Sequence, residues 1–282
     1  EFRRVLFRSL LMVLLLALPP VLAQEMAFAD LRALAPAGTF LLEGQAPQVS
    51  DTAYRSRDIA ITITKHRYEN SDVFVADIYV SSVSHLRRVF SHGQWNKNAQ
   101  RAKTLVQDAG AILAITGDYS GLLSQGLVVG NGRVLRSSGN RQRDNCLIYP
   151  DGLMQTFARR ELDVQEAILQ PIWQSFLFGP ALLSADGQAI DKFDSKIGVA
   201  NPRSVIGYFA PGHYCFVLAD GRQKNSRGLA LVPLSRFMVD LGCVAAYNLD
   251  GGQSAMLWFN GQMINAPYKG GRPLTDMVYI GE

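Results

Sequence analysis

The chain has 282 residues, 48% hydrophobic and 18% charged, which is the composition of a folded globular protein and excludes a disordered or low-complexity one. Its formal charge is +4, and residues 24–282 alone carry 25 basic and 23 acidic side chains. That near-neutral balance, without a basic run, argues against nucleic acid as a partner.

At the N-terminus Arg3, Arg4 and Arg8 precede an apolar stretch from Leu10 to Leu18, then Pro19, Pro20 and Val21-Leu22-Ala23. A basic flank, a short apolar core and a small final residue predict a signal peptide over residues 1–23, with an uncleaved membrane anchor as the alternative. The expected location is therefore secreted or extracytoplasmic, with a membrane tether in the anchored case. Residues 24–58, with Pro36, Gly38, Gly44 and Pro47, are read as a tether leading into one domain over residues 59–282.

Ile59 to Thr64 alternates with period two and predicts a strand, as does Val73 to Val80, and Leu86 to Phe90 a third. Between Asn98 and Ala109 the period changes, with Ala99, Ala102, Leu105, Val106 and Ala109 on one helical face and Gly110 as the stop. Ala111 to Ile115 reads as a buried strand ending in Thr116-Gly117-Asp118. Gly130-Asn131-Gly132 and Pro150-Asp151-Gly152 each predict a hairpin turn. Arg203 to Phe209 and Tyr214 to Ala219 pair across Pro211-Gly212, and Pro233 to Leu241 forms a helix stopped by Gly242. Many strands and two or three helices, without a repeat, give a single α+β domain with a mixed, largely antiparallel sheet core.

Cys146, Cys215 and Cys243 are spaced too widely for a zinc ribbon or a redox pair. All three sit in apolar runs, as buried thiols do, and a Cys215–Cys243 bridge is the alternative. His66, His85, His92 and His213 are scattered, so no metal site is predicted. No cofactor is predicted either; a divalent cation such as calcium stays open, although no loop carries its regular ligand pattern.

Polar residues recur at strand ends, Asp118, Arg227, Asp250 and Arg272 beside glycine and Arg203 after Asn201-Pro202. Taken singly, each is an ordinary turn residue. Asp250 stands out, because Asn248-Leu249-Asp250-Gly251-Gly252-Gln253-Ser254 lies between two apolar runs, Cys243 to Tyr247 and Ala255 to Phe259. Gly251 and Gly252 permit a tight corner and leave no Cβ in the way of a ligand.

These pieces, in order, resemble the phosphodiester glycosidase domain family. Asn201-Pro202-Arg203 with Ile206-Gly207, Asp220-Gly221-Arg222, Ser226-Arg227-Gly228-Leu229, the corner at 248–254 and Arg272 to Asp276 match its motifs. Gly117-Asp118-Tyr119 and Phe178-Gly179-Pro180 match it more weakly. Thr116 stands where many relatives carry Asn, and Gln253 where glycine is common. The resemblance covers residues 59–281. It implies hydrolysis of a sugar 1-phosphodiester of the N-acetylglucosamine type, and the bacterial branch is associated with exopolysaccharide. Asp250 would then act as base or nucleophile and Asp118 as the second carboxylate. Arg203, Arg272 and Arg227 would hold the phosphate, and Asn248, Ser254, Gly251 and Gly252 would orient the carboxylate or meet the sugar. A non-catalytic glycan-binding or exopolysaccharide-assembly protein on the same scaffold is the alternative.

Overall fold

The computed structural model describes residues 26–140 and 142–282. The signal or anchor segment at 1–23 lies outside the described residues, among which no helix is long and apolar enough to cross a membrane.

Strands dominate, as the alternating patterns predict. They are β1 (Gln48–Val49), β2 (Ala53–Arg55), β3 (Ile59–Tyr68), β4 (Ser71–Val80), β5 (Leu86–Phe90), β6 (Leu113–Thr116), β7 (Leu127–Gly130) and β8 (Arg133–Ser137). After them come β9 (Asn145–Ile148), β10 (Met154–Phe157), β11 (Gln174–Phe176), β12 (Arg203–Ala210), β13 (His213–Ala219), β14 (Ala245–Leu249), β15 (Leu257–Phe259), β16 (Gln262–Met263) and β17 (Asp276–Ile280). Among the described residues three α-helices accompany them: α1 (Ala102–Asp108), α2 (Val164–Ala167) and α3 (Leu231–Asp240). The architecture is α+β, with antiparallel pairing throughout.

A seven-stranded sheet runs β1-β2-β3-β4-β13-β12-β14, and a five-stranded one runs β16-β15-β6-β17-β5. Period-two alternation decides what each face meets. On β13, Tyr214, Phe216 and Leu218 enter the central core, while Cys215, Val217 and Ala219 face α3 with Leu234 and Met238. On β17, Val278 and Ile280 enter the same central core, and Met277 and Tyr279 pack under α1 with Leu105 and Val106. The two sheets thus share one core and carry a helix on each outer side.

Helix α1 starts later than its periodicity suggests, because Gln100 is held in an extended bridge with Leu274. Helix α3 begins two residues before Pro233 and stops at Gly242, whose φ of 89° is the left-handed turn that a glycine stop supplies. From residue 26 onward the segment read as a tether is structured. Leu31 and Leu41 are buried, Leu31 N donates to Ser81 O at 2.7 Å, and β1 and β2 extend the large sheet. Its loop-like composition hid two short edge strands.

Candidate active site

The ends of several strands meet at one edge of the two sheets. Asp250 N donates to Gly117 O at 3.1 Å, which stitches the corner after β14 to the end of β6. Thr116 Oγ1 donates to Ser254 O and accepts from Met256 N at 3.0 Å, which holds the chain leaving that corner. A cleft of about 290 Å³ opens there, lined by Thr116, Asp118, Tyr119, Asp250, Arg272 and Asp276 together with the loop at Asn96, Lys97 and Asn98.

Asp250 is the reachable carboxylate. Its side chain is 13% exposed, Oδ2 accepts from Arg272 Nη2 at 2.9 Å and Oδ1 accepts from Gly251 N at 3.0 Å. Burial pushes its carboxyl above the ordinary range, against the opposing pull of Ser254, Arg272 and the Gly251 amide. Arg272 Nε donates to Ser254 Oγ, so Ser254 fixes the guanidinium that fixes Asp250.

Asp118 reaches the cleft differently from its expected role as second carboxylate. Its side chain has no exposed surface. Oδ2 accepts from Leu177 N at 3.0 Å and Oδ1 from Phe178 N at 2.6 Å, so both oxygens tie down the chain after β11. Arg88 Nη2 lies 3.7 Å from Oδ2. Burial pushes the Asp118 carboxyl up to about 6; Arg88 opposes this, Asp276 adds to it, and the two amides oppose it. Two carboxylates facing each other across a substrate, the arrangement whose spacing separates retaining from inverting glycosidases, do not form with Asp118.

Beneath the cleft lies a network that sequence reasoning missed. Arg88 is fully buried, and its Nε donates to Asp276 Oδ2 at 2.7 Å, Nη1 to Ser175 O at 3.0 Å and Nη2 to Ser120 Oγ at 2.8 Å. Asp276 Oδ2 also accepts from Asp118 N at 2.9 Å. A Cβ on Gly117 would lie 2.2 Å from that same oxygen, so the glycine makes room for Asp276. The available signal was strand parity: Arg88 shares a face with the buried Leu86 on β5.

Arg203 and Arg227 stand apart from the cleft. Arg203 is buried, and its guanidinium donates to the carbonyls of Leu229, Ile197 and Val199. Burial, then repulsion from Arg222, lowers it to about 10. It fastens loops. Arg227 is exposed, and its backbone bonds to Asn70 and Arg222. Asn248 also faces inward, donating from Nδ2 to Gly179 O at 2.8 Å. The glycine pair serves chain packing rather than ligand approach at Gly251, where a Cβ would meet Pro202 O at 2.6 Å. Gly252, at φ 63°, backs onto the Arg222 guanidinium, which Asn201 Oδ1 holds at 3.0 and 2.8 Å.

The phosphodiester glycosidase family model matches residues 105–281, which include the corner, the cleft and every motif described around them except Arg88 and the loop at 96–98. The chain belongs to the phosphodiester glycosidase family. Mouse N-acetylglucosamine-1-phosphodiester alpha-N-acetylglucosaminidase is 30% identical over 193 residues, covering 60% of this chain and 36% of that protein. The SPbeta prophage-derived uncharacterized protein YomE of Bacillus subtilis is 28% identical over 131 residues, 46% of this chain and 20% of that protein. The chain thus spans about a fifth to just over a third of the length of these curated relatives. The zebrafish N-acetylglucosamine-1-phosphodiester alpha-N-acetylglucosaminidase catalytic domain, solved as auto-inhibited by pro-peptide, superposes with a TM-score of 0.64 at 20% identity, covering 80% of this chain and 83% of that one. A hypothetical protein from Synechocystis superposes at 0.62 with 12% identity, covering 84% of this chain and 64% of that one. At these identities the superpositions describe the fold of this chain.

Proposed function

We propose that this member of the phosphodiester glycosidase family is an exported hydrolase that cleaves a sugar 1-phosphodiester of the N-acetylglucosamine type, in a surface glycan such as exopolysaccharide or a fragment of one. Water adds at the anomeric carbon, the bond from that carbon to the phosphate oxygen breaks, and a phosphate monoester leaves with the electron pair. The observation that carries this reading is the pairing, at one cleft, of a reachable carboxylate with a guanidinium it does not exhaust. Asp250 supplies the electron pair, to a water proton or to the anomeric carbon itself. Arg272 meets the departing phosphate. A phosphate monoester leaves readily, so a single reachable carboxylate suffices where an ordinary glycoside needs a second as acid. Export rests on the basic-then-apolar pattern of residues 1–23.

A second reading, glycan binding without turnover, draws on the same Asp250–Arg272 pair, since a carboxylate held by an arginine is also a stable structural pair. Incubating the purified chain with the methyl phosphodiester of N-acetylglucosamine-1-phosphate decides between them. Release of free sugar supports the hydrolase; saturable binding without release supports the second reading and sinks the first.

A further inference from the structure

We infer that Lys97 is the second phosphate anchor of this cleft, the part that the sequence assigned to Arg203 and Arg227; the inference rests on the phosphodiester reading above. The cleft is lined by three carboxylate residues, of which Asp118 and Asp276 lie buried against Arg88 beneath it and Asp250 is reachable, and by two cationic ones, Arg272 and Lys97. A phosphodiester entering it brings one more negative charge. Arg272 is already engaged, with Nη2 on Asp250 and Nε on Ser254, and among the described residues only Nη1 is left without a partner. One nitrogen is a small counterweight to a phosphate placed beside a carboxylate. Lys97 is exposed and forms no ion pair with a carboxylate among the described residues. Its charge is therefore available to a ligand. It also sits on the loop between β5 and α1, which Gln100 holds against Leu274, two residues from Arg272, so Lys97 and Arg272 can meet the same phosphate. A lysine suits this place, because its ammonium is a point charge on a flexible stem that can reach in without a fixed fork geometry. Asn96 and Asn98 flank it on the same wall and offer amide groups to the alcohol side of the phosphodiester.

The test separates binding from turnover. In the full chain carrying Asp250→Asn, the affinity of two probes is measured by calorimetry: the methyl phosphodiester of N-acetylglucosamine-1-phosphate and the neutral methyl glycoside of the same sugar. Adding Lys97→Gln is expected to weaken the phosphodiester by about 10–100-fold, the factor that one charge-assisted hydrogen bond supplies, and the neutral glycoside by less than about 3-fold. Lys97→Arg is expected to recover most of the loss. Added salt is expected to weaken the phosphodiester less in the Lys97→Gln protein than in its parent. Equal loss for both probes, no loss for the phosphodiester, or no phosphodiester binding by the parent chain each overturns the role of Lys97. If phosphodiester binding depends on Lys97 but the unsubstituted chain releases no sugar, the hydrolase reading falls and the anchor stands.

Discussion

At Asp250, one carboxylate meets an arginine, a backbone amide and the solvent of the cleft at once. Burial raises its carboxyl while Arg272 and Ser254 pull it down, and it can act as base or nucleophile only when ionised. Activity is therefore expected to fall as pH drops through a midpoint above the ordinary carboxylate value of 3.8. Arg272→Gln removes one of the groups that hold this midpoint down, so the acid limb of kcat/KM should move to higher pH while the maximum falls. Asp250→Asn should cut turnover at least ~10²-fold, with an unchanged unfolding transition as the control; near-normal turnover in a folded Asp250→Asn chain removes the residue from the chemistry. Asp118 calls for a different measurement. Its carboxyl sits near 6 in the folded state against 3.8 in the free side chain. Below about pH 3.8 it is neutral folded and unfolded, and from there to about 6 the unfolded chain ionises first. Its contribution to stability is thus lost as pH rises through that window, at no more than about 1.4 kcal/mol per pH unit. Asp118→Asn removes that slope, yet leaves one of the Leu177 and Phe178 amides without its acceptor, a cost of about 1–3 kcal/mol. Urea unfolding at pH 4.5 and 7 should show the deficit of Asp118→Asn against the parent shrinking as pH rises.

The elements that carry these residues were largely legible from the chain, because apolar alternation encodes which face of a strand is buried. Strand β5 spans the residues expected of it, and β3, β4, β12, β13 and α3 differ only at their ends. What periodicity cannot encode is where a polar side chain turns once its strand stops. Arg203 and Arg272 look alike in sequence, each at a strand end beside conformationally restricted residues. One spends its guanidinium on three carbonyls and the other on Asp250 and Ser254. The glycines were legible as a corner and misread in purpose, since the missing Cβ of Gly251 faces Pro202 and that of Gly117 faces Asp276. Gly117→Ala tests the second contact. Its methyl would lie 2.2 Å from Asp276 Oδ2 and 3.0 Å from Asp276 O, so β6 and β17 must move apart. Overpacking of this kind costs about 1–3 kcal/mol. Because Gly117 O also accepts from Asp250 N, the shift should lower turnover as well, and Gly117→Ala with parental stability and activity would mean that the two strand ends are looser than this packing.

Across the whole molecule, the cleft floor is also a joint between sheets. Arg88 leaves β5 in the five-stranded sheet, pairs with Asp276 of β17 in that sheet and donates to Ser175 O of β11, which belongs to the three-stranded sheet β10-β9-β11. The backbone of Arg88 exchanges two 2.8 Å bonds with the side chain of Asn131, in the turn between β7 and β8, so that hairpin docks on the open edge of β5. Trp173 Nε1 covers the same edge by donating to Leu86 O at 2.6 Å. The guanidinium therefore neutralises buried carboxylates and joins two sheets, while the Arg88 backbone holds the β7-β8 hairpin to the same edge. Arg88→Met keeps the volume and removes the charge, which leaves Asp276, and Asp118 behind it, without a counter-ion. Breaking a buried pair from one side costs about 3–5 kcal/mol, and Asp118, whose carboxyl sits near 6, adds its own unpaired charge at pH 7 and much less at pH 4.5, so the loss should be larger at pH 7. The double variant Arg88→Met with Asp276→Asn removes one of the stranded charges and should recover part of the stability at pH 7. It should not recover activity to the same extent, because Ser175 O and Ser120 Oγ stay without the guanidinium that shapes the cleft floor. Urea unfolding of the single and double variants at both pH values, alongside sugar release, separates the two. If Arg88→Met unfolds like the parent at pH 7, the joint carries little of the stability and the buried pair serves the geometry of the cleft alone.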